Sequence, residues 1–136
     1  MLRSGLPEEV DGSEDLARFI RSSGHLRKSG DKRVKHQAYL PAPDNDTSVF
    51  RVSDDSEEKI KEMAEEHVRE KSKHGTAIVK AHIITEGTSL TIEALEPPLK
   101  HANIRGWSME EDPILKKAKR KEAAMKLAEE SRLITW

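Results

Sequence analysis

Two histidines and one arginine have the side chains best suited to acid–base chemistry without a metal: His36, Arg51 and His101. One imidazole can act as a base and a second as an acid, while a guanidinium can stabilise negative charge that develops in a transition state. These groups form a minimal set for cleaving a phosphodiester. The sequence therefore allows a compact metal-independent enzyme acting on a phosphodiester or a nucleotide, provided that the fold brings the three side chains into one cleft.

Other histidines have the chemistry of metal ligands but not the spacing. His67 and His74 are seven residues apart on one predicted helical face, with His82 further along and Glu66 or Glu70 as a carboxylate. Seven residues rise about 10 Å along a helix, which is too far for two ligands of one ion. We therefore predict no metal site and no cofactor, and we interpret these histidines as residues at the edge of the core.

Charge is segregated along the chain, although the formal net charge is only −1. The stretch from Arg18 to His36 holds seven Lys or Arg residues against one Asp, and residues 116–126 hold six against Glu122. Residues 54–70 show the reverse, with eight acidic residues against three basic ones. The first of these basic stretches is predicted to contain a loop at residues 21–33, and the second lies in a predicted helix. If the basic loop and the basic helix turn meet in space, they form an anion-binding surface; otherwise they are solvated surface. The residues predicted to bind the anion are Arg27, Lys28, Lys32, Arg33, Lys117, Arg120 and Lys121.

Two segments carry more turn-forming and polar residues than a simple connection needs: residues 41–48, PAPDNDTS, and residues 101–107, HANIRGW. Such residues can bind a ligand, but Asn and Asp also shape turns, Gly106 permits an unusual backbone angle and Trp107 can anchor a helix. The sequence leaves both interpretations open and favours the structural one.

Composition excludes some protein classes, and missing motifs weigh against others. The chain has no cysteine, which rules out disulfides and thiolate chemistry. It also lacks the motifs of P-loop proteins, dinucleotide-binding folds, zinc peptidases and serine hydrolases. No apolar run resembles a signal peptide or a membrane span. We expect a cytoplasmic protein that does not enter a membrane, and the oligomeric state stays open, with a homodimer allowed.

Hydrophobic periodicity predicts the elements that must position these residues. Residues 13–136 are predicted to form one α+β domain after a disordered tail at residues 1–12. Alternating apolar residues and short turns predict two hairpins, in which residues 34–40 pair with 48–52 and residues 76–85 pair with 88–95. Residues 16–20 fit either a strand or a helix, and residues 101–107 fit either an edge strand or a loop.

Two helices are predicted to pack on this sheet. The first runs from about Ser56 to Lys73, with Ile60 and Met63 on its apolar face. The second follows a capping box at residues 108–111 and runs from Pro113 to about Arg132. The predicted architecture is therefore a small, largely antiparallel four-stranded sheet of two hairpins, packed by two main helices, with a mobile N-terminal tail.

The charge pattern carries the prediction of function. We predict a small cytosolic binding or accessory module that engages a protein or nucleic-acid partner through segregated charged surfaces. The alternative is the metal-independent enzyme with His36, Arg51 and His101 at its site. The binding module is preferred because charge segregation is visible in the sequence, whereas the meeting of the three side chains depends entirely on the fold.

Overall fold

The computed structural model describes residues 2–27, 33–67 and 74–136, which form a six-stranded sheet, three α-helices and two 3₁₀-helices. The strands are β1 (Asp15–Phe19), β2 (Thr47–Arg51), β3 (Thr76–Lys80), β4 (Thr91–Ala94), β5 (His101–Arg105) and β6 (Arg132–Ile134). The helices are α1 (Glu57–His67), α2 (Ala81–Gly87) and α3 (Pro113–Glu129). The 3₁₀-helices span Ser23–His25 and His36–Ala38.

The sheet is antiparallel throughout, with the order β4-β5-β2-β1-β3-β6. In its centre, Leu16 of β1 pairs with Arg51 of β2 and with Val79 of β3. On the other side of β2, Phe50 pairs with His101 of β5. Because successive side chains of a strand point to opposite faces, this register determines which functional candidates can meet.

The two faces of the sheet are covered by different helices. One core cluster joins Leu16 and Val49 of the sheet to Ile84 of α2 and Leu127 of α3. The other cluster joins sheet residues such as Phe50 to residues of α1. The fold therefore has three layers, in which α1 lies on one face of the sheet and α2 and α3 lie on the other.

The predicted α+β class and the antiparallel sheet are confirmed, but four strands in two local hairpins is wrong. β2 pairs with β1 and β5, and β3 pairs with β1 and β6, so neither predicted hairpin forms. Residues 16–20 contribute a central strand, and residues 101–107 contribute the inner strand β5. The sheet is built from pairings distant in sequence, which local turn signals do not encode.

Two predicted strands also contain helical turns. In residues 34–40, only Val34 forms an isolated bridge, and the following backbone closes a 3₁₀-helix through bonds from Ala38 N to Lys35 O and from Tyr39 N to His36 O. In residues 76–85, β3 ends at Lys80 and α2 begins at once. Ala81 and Ile84 are both buried, which is the spacing of a helical face.

The two main predicted helices are present with altered limits. α1 begins close to the predicted start, whereas residues 68–73 of that prediction lie outside the described residues. α3 is capped by Asp112, whose carboxylate accepts from Ile114 N at 2.9 Å, and not by the predicted Ser108. None of the helices in the described ranges is long and apolar enough to cross a lipid bilayer.

The N-terminal segment before β1 makes specific contacts with the domain. Ser4 N donates to the Glu96 carboxylate at 2.9 Å, Pro7 O accepts from Arg51 at 2.6 Å, and Val10 packs against the core. Residues 2–12 contain no helix or strand. These contacts attach the segment to the sheet at points on β2 and on the connection between β4 and β5.

Candidate functional site

A basic groove lies where the second 3₁₀-helix packs beside the first two turns of α3. Its volume is about 330 Å³. One wall is formed by His36, Leu40 and Pro41, and the other by residues of α3. We define the basic groove by these lining residues: His36, Leu40, Pro41, Pro113, Lys116, Lys117, Arg120 and Lys121. Two segments that are far apart in sequence thus supply one cationic concavity.

A buried tyrosine fixes the position of the 3₁₀-helix. Ser131 Oγ donates to Leu127 O at 2.6 Å, so the hydroxyl of Tyr39 donates to Ser131 Oγ, also at 2.6 Å. The carbonyl of Tyr39 accepts from Thr47 Oγ1 at 2.8 Å. Burial raises the pKa of Tyr39 and keeps it a neutral donor. Tyr39 therefore joins the end of α3 to β2 and holds His36 in place.

The cations of the groove are not neutralised by nearby carboxylates. Within the described ranges, Lys116, Lys117, Arg120 and Lys121 make no ion pair with an acidic side chain. Arg120 is oriented by neutral groups, because it donates to Ser108 O at 2.9 Å and to Asn45 Oδ1 at 3.1 Å. Its positive charge remains available to an anion.

The positive charges around His36 affect its protonation. Burial lowers the pKa of His36, and Lys121 and Lys35 lower it further. The imidazole therefore loses its proton more readily than an isolated histidine. An anion bound in the groove would offset the two lysines and would favour the protonated ring.

Of the predicted basic loop, the described residues Arg27 and Arg33 are not among those that line the groove. A bridge pairs Leu26 with Val34, and Arg27 N donates to Arg33 O at 2.8 Å, so Arg27 and Arg33 sit side by side and exposed. Lys28 and Lys32 lie outside the described residues. Of the predicted anion-binding residues, the structure thus brings together Lys117, Arg120 and Lys121.

Two ionisable residues of the groove, Lys116 and His36, were not in the predicted anion-binding set. Lys116 could have been found, because positions 116, 117, 120 and 121 recur at the one- and four-residue spacing of a single helical face. His36 was assigned to the enzyme site, since nothing in its local sequence shows that it packs against α3.

Arg51 is occupied by a buried ion pair. Its side chain is 1% exposed, and its guanidinium donates to both carboxylate oxygens of Glu14, at 2.7 and 2.8 Å. A third bond reaches Pro7 O at 2.6 Å. Arg51 holds the N-terminal segment against the sheet.

His101 projects from the opposite face of the sheet. It pairs with Phe50, whereas Arg51 is the next residue along β2, so the side chains of Arg51 and His101 alternate to opposite faces. Leu95 O accepts from His101 Nδ1 at 2.8 Å, which leaves Nε2 to accept from the Ser48 hydroxyl at 2.7 Å. His36, Arg51 and His101 therefore do not share one face, and the enzyme built on them stays a prediction without support from these contacts.

The histidines weighed as metal ligands are also separated. His67 ends α1 and stacks on Phe50 at 4.8 Å, while His82 lies on α2 beyond the opposite face of the sheet and faces Glu86 at 3.7 Å. In the part of the chain that the structure describes, no cluster of three or more His, Cys, Asp or Glu side chains could hold a metal ion.

The two polar segments bind each other. Asp46 accepts from Arg105 Nε at 3.1 Å and from Asn103 at 3.4 Å. Gly106 has a φ of 90°, and Trp107 Nε1 donates to Ile104 O at 3.1 Å. These contacts support the structural interpretation of both segments.

Comparison of the chain with protein-family models, with curated proteins and with solved structures finds no match.

Proposed function

We propose that this protein is a binding module whose basic groove engages the phosphate backbone of a nucleic acid. The observation that carries the proposal is the meeting of His36 with four cationic residues of α3 in one concavity. Among the described residues, Lys116, Lys117, Arg120 and Lys121 of the groove pair with no carboxylate, so their charge can act on a ligand. Lysine and arginine contacts to phosphates account for most non-specific affinity in nucleic-acid binding.

The aromatic side chains favour a backbone contact over base stacking. Tyr39, which adjoins the groove, is fully buried, and Phe50 and Trp107 are also buried. Single-stranded nucleic-acid proteins gain affinity from exposed aromatic rings on which bases stack, and the described lining residues of the groove include no Phe, Tyr or Trp. Its apolar side chains are Leu40 and two prolines. We therefore propose recognition of phosphates with little discrimination between base sequences.

Fluorescence anisotropy with labelled 20-nucleotide single-stranded and duplex probes, at 50 and 200 mM salt, tests this proposal. If four cations contact phosphates, affinity for a duplex should fall by about 100-fold over that salt range. The variant Lys117→Glu with Lys121→Glu should bind at least about tenfold more weakly at 50 mM salt.

The matched control is Lys59→Glu with Lys61→Glu. Both lysines are exposed on α1, on the other face of the sheet, and the control makes the same change in net charge. Equal loss of binding in both variants would show a diffuse charge effect and would refute the groove. A labelled polyglutamate peptide of similar length is the second probe: if it binds more tightly than either nucleic acid, an acidic protein segment is the partner instead.

A further inference from the structure

A second and larger concavity lies on the other side of α3. It is a cleft of about 1090 Å³ between α3, the connection from α2 to β4, and the segment after β5. Leu90 and Trp107 are each 3% exposed and form its floor. Trp107 is fixed there by its bond to Ile104 O. We call this concavity the acidic cleft.

Exposed methionines line the cleft above this floor. Met109 is 63% exposed and Met125 is 42% exposed. Methionine is flexible and polarisable, and it is used on surfaces that receive apolar side chains of a partner. The cleft is larger than most sites for small molecules, which favours a segment of polypeptide as its ligand.

The rim of the cleft carries a net negative charge. It is lined by four glutamates and two lysines, and both lysines are paired within the chain, Lys119 with Glu110 and Lys126 with Glu130. Within the described ranges the remaining glutamates of the rim make no ion pair with Lys or Arg. These residues are Glu111, Glu122 and Glu129.

We propose that the acidic cleft binds a basic amphipathic helix of a partner protein. An apolar floor with methionine walls fits the apolar stripe of such a helix, and the three free carboxylates fit its lysines or arginines. The α3 residues Lys119, Glu122, Lys126 and Glu129 recur at three- and four-residue spacing and extend over about 15 Å. A ligand helix of three to four turns would match that length.

Anisotropy of a labelled 18-residue Leu/Lys amphipathic peptide at 150 mM salt tests this proposal on the full chain. A peptide with Glu in place of every Lys is the matched probe, and it should bind at least about tenfold more weakly. The variant Glu122→Lys with Glu129→Lys should weaken binding of the Leu/Lys peptide by about tenfold or more. The control Glu65→Lys with Glu66→Lys makes the same charge change on exposed residues of α1 and should keep the affinity within about twofold.

Three outcomes would overturn the proposal. The first is equal binding of the two peptides, because the carboxylates would then play no part. The second is equal weakening by the cleft variant and the α1 control, because the peptide would then sense only net charge. The third is a wild-type dimer in sedimentation equilibrium that Met125→Asp converts to a monomer, because the cleft would then receive a second copy of this chain.

Discussion

His36 is the residue at which the groove can respond to pH. Its ring faces Lys35 on its own segment and Lys116, Lys117, Arg120 and Lys121 on α3. Burial lowers its pKa below the ordinary value of 6.5, and Lys121 and Lys35 lower it further. A phosphate in the groove offsets the cations, so the pKa of His36 should rise on binding. The complex then binds more protons than the free protein, and affinity must increase as pH falls.

We therefore predict that nucleic-acid affinity increases as the pH is lowered from 7.5 through 6.5, at constant ionic strength. Each unit by which binding raises the pKa of His36 adds up to about tenfold in affinity at acidic pH. Anisotropy titrations of wild type and His36→Gln measure the effect, with His82→Gln on α2 as the control for a histidine outside the groove. A His36→Gln variant with the same pH dependence as wild type would contradict this coupling.

Arg51 shows how a residue with suitable chemistry can serve the fold instead. Its ion pair with Glu14 is almost completely buried, and its third donor secures Pro7. Removing one partner of such a pair leaves an uncompensated buried charge, which costs about 3–5 kcal/mol. Loss of function in an Arg51 variant would therefore be explained by loss of stability and would not be evidence that Arg51 is catalytic.

At the scale of elements, Gly75 lies against β6, the strand at one edge of the sheet. Gly75 precedes β3 and has a φ of 121°, a conformation that other residues adopt with strain. A Cβ at this position would lie 2.1 Å from Ile134 O and 2.9 Å from Thr135 Cα. Both neighbours are backbone atoms, so the clash can be relieved only by moving β6.

Gly75→Ala should therefore lower the free energy of unfolding by about 2 kcal/mol or more. Gly24→Ala is the matched control, because its Cβ would meet only the Ser22 hydroxyl at 3.4 Å, and its effect should stay within about 0.5 kcal/mol. Urea denaturation measures both variants, and amide exchange across residues 132–134 reports whether β6 detaches. Equal midpoints for the two variants would show that β6 tolerates the displacement.

The elements also show what the sequence could predict and where it could not. The helical face around Ile60 and Met63 and the proline-initiated helix at Pro113 are local patterns, and both helices are present. Strand partners are not local: β2 lies between β1 and β5, and no turn signal records that choice. The local alternation in residues 34–40 was misleading, because Ala38 and Tyr39 are neighbours that are both buried.

The same limit applies to the candidate site. The cluster of basic residues in α3 is visible in the sequence. Whether these residues form a binding surface depends on which segment packs beside α3, and the sequence does not show that segment. The hydrogen bond between Tyr39 and Ser131 holds the second 3₁₀-helix beside α3, and its two residues are 92 positions apart in the sequence. The acidic cleft was not predicted either, since Met109 and Glu122 become neighbours of Leu90 only after β4, β5 and α3 assemble.

For the whole molecule, the formal charge of −1 conceals two surfaces of opposite sign on one helix. The basic groove uses the turns of α3 near Lys117, and the acidic cleft uses the side of α3 that carries Glu122 and Glu129. A helix with its side chains is about 10 Å across, and the Debye length at physiological salt is about 8 Å. Charges on opposite sides of α3 that are also distant along it, such as Lys117 and Glu129, should therefore be largely screened from each other.

This separation predicts that the two binding sites act independently at 150 mM salt. Lys117→Glu with Lys121→Glu should weaken nucleic-acid binding and change the affinity for the Leu/Lys peptide by less than about threefold. Glu122→Lys with Glu129→Lys should weaken binding of the peptide and change the affinity for nucleic acid by less than about threefold. Because Lys121 and Glu122 are adjacent, additivity is tested on the distant positions: Lys117→Glu combined with Glu129→Lys should reproduce the loss of each single variant within about 0.5 kcal/mol. Each ligand is titrated alone, because the cationic peptide and the nucleic acid would bind each other directly. A large cross-effect of either double variant would mean that the ligands respond to one shared electrostatic field, and the protein would then have a single binding surface rather than two.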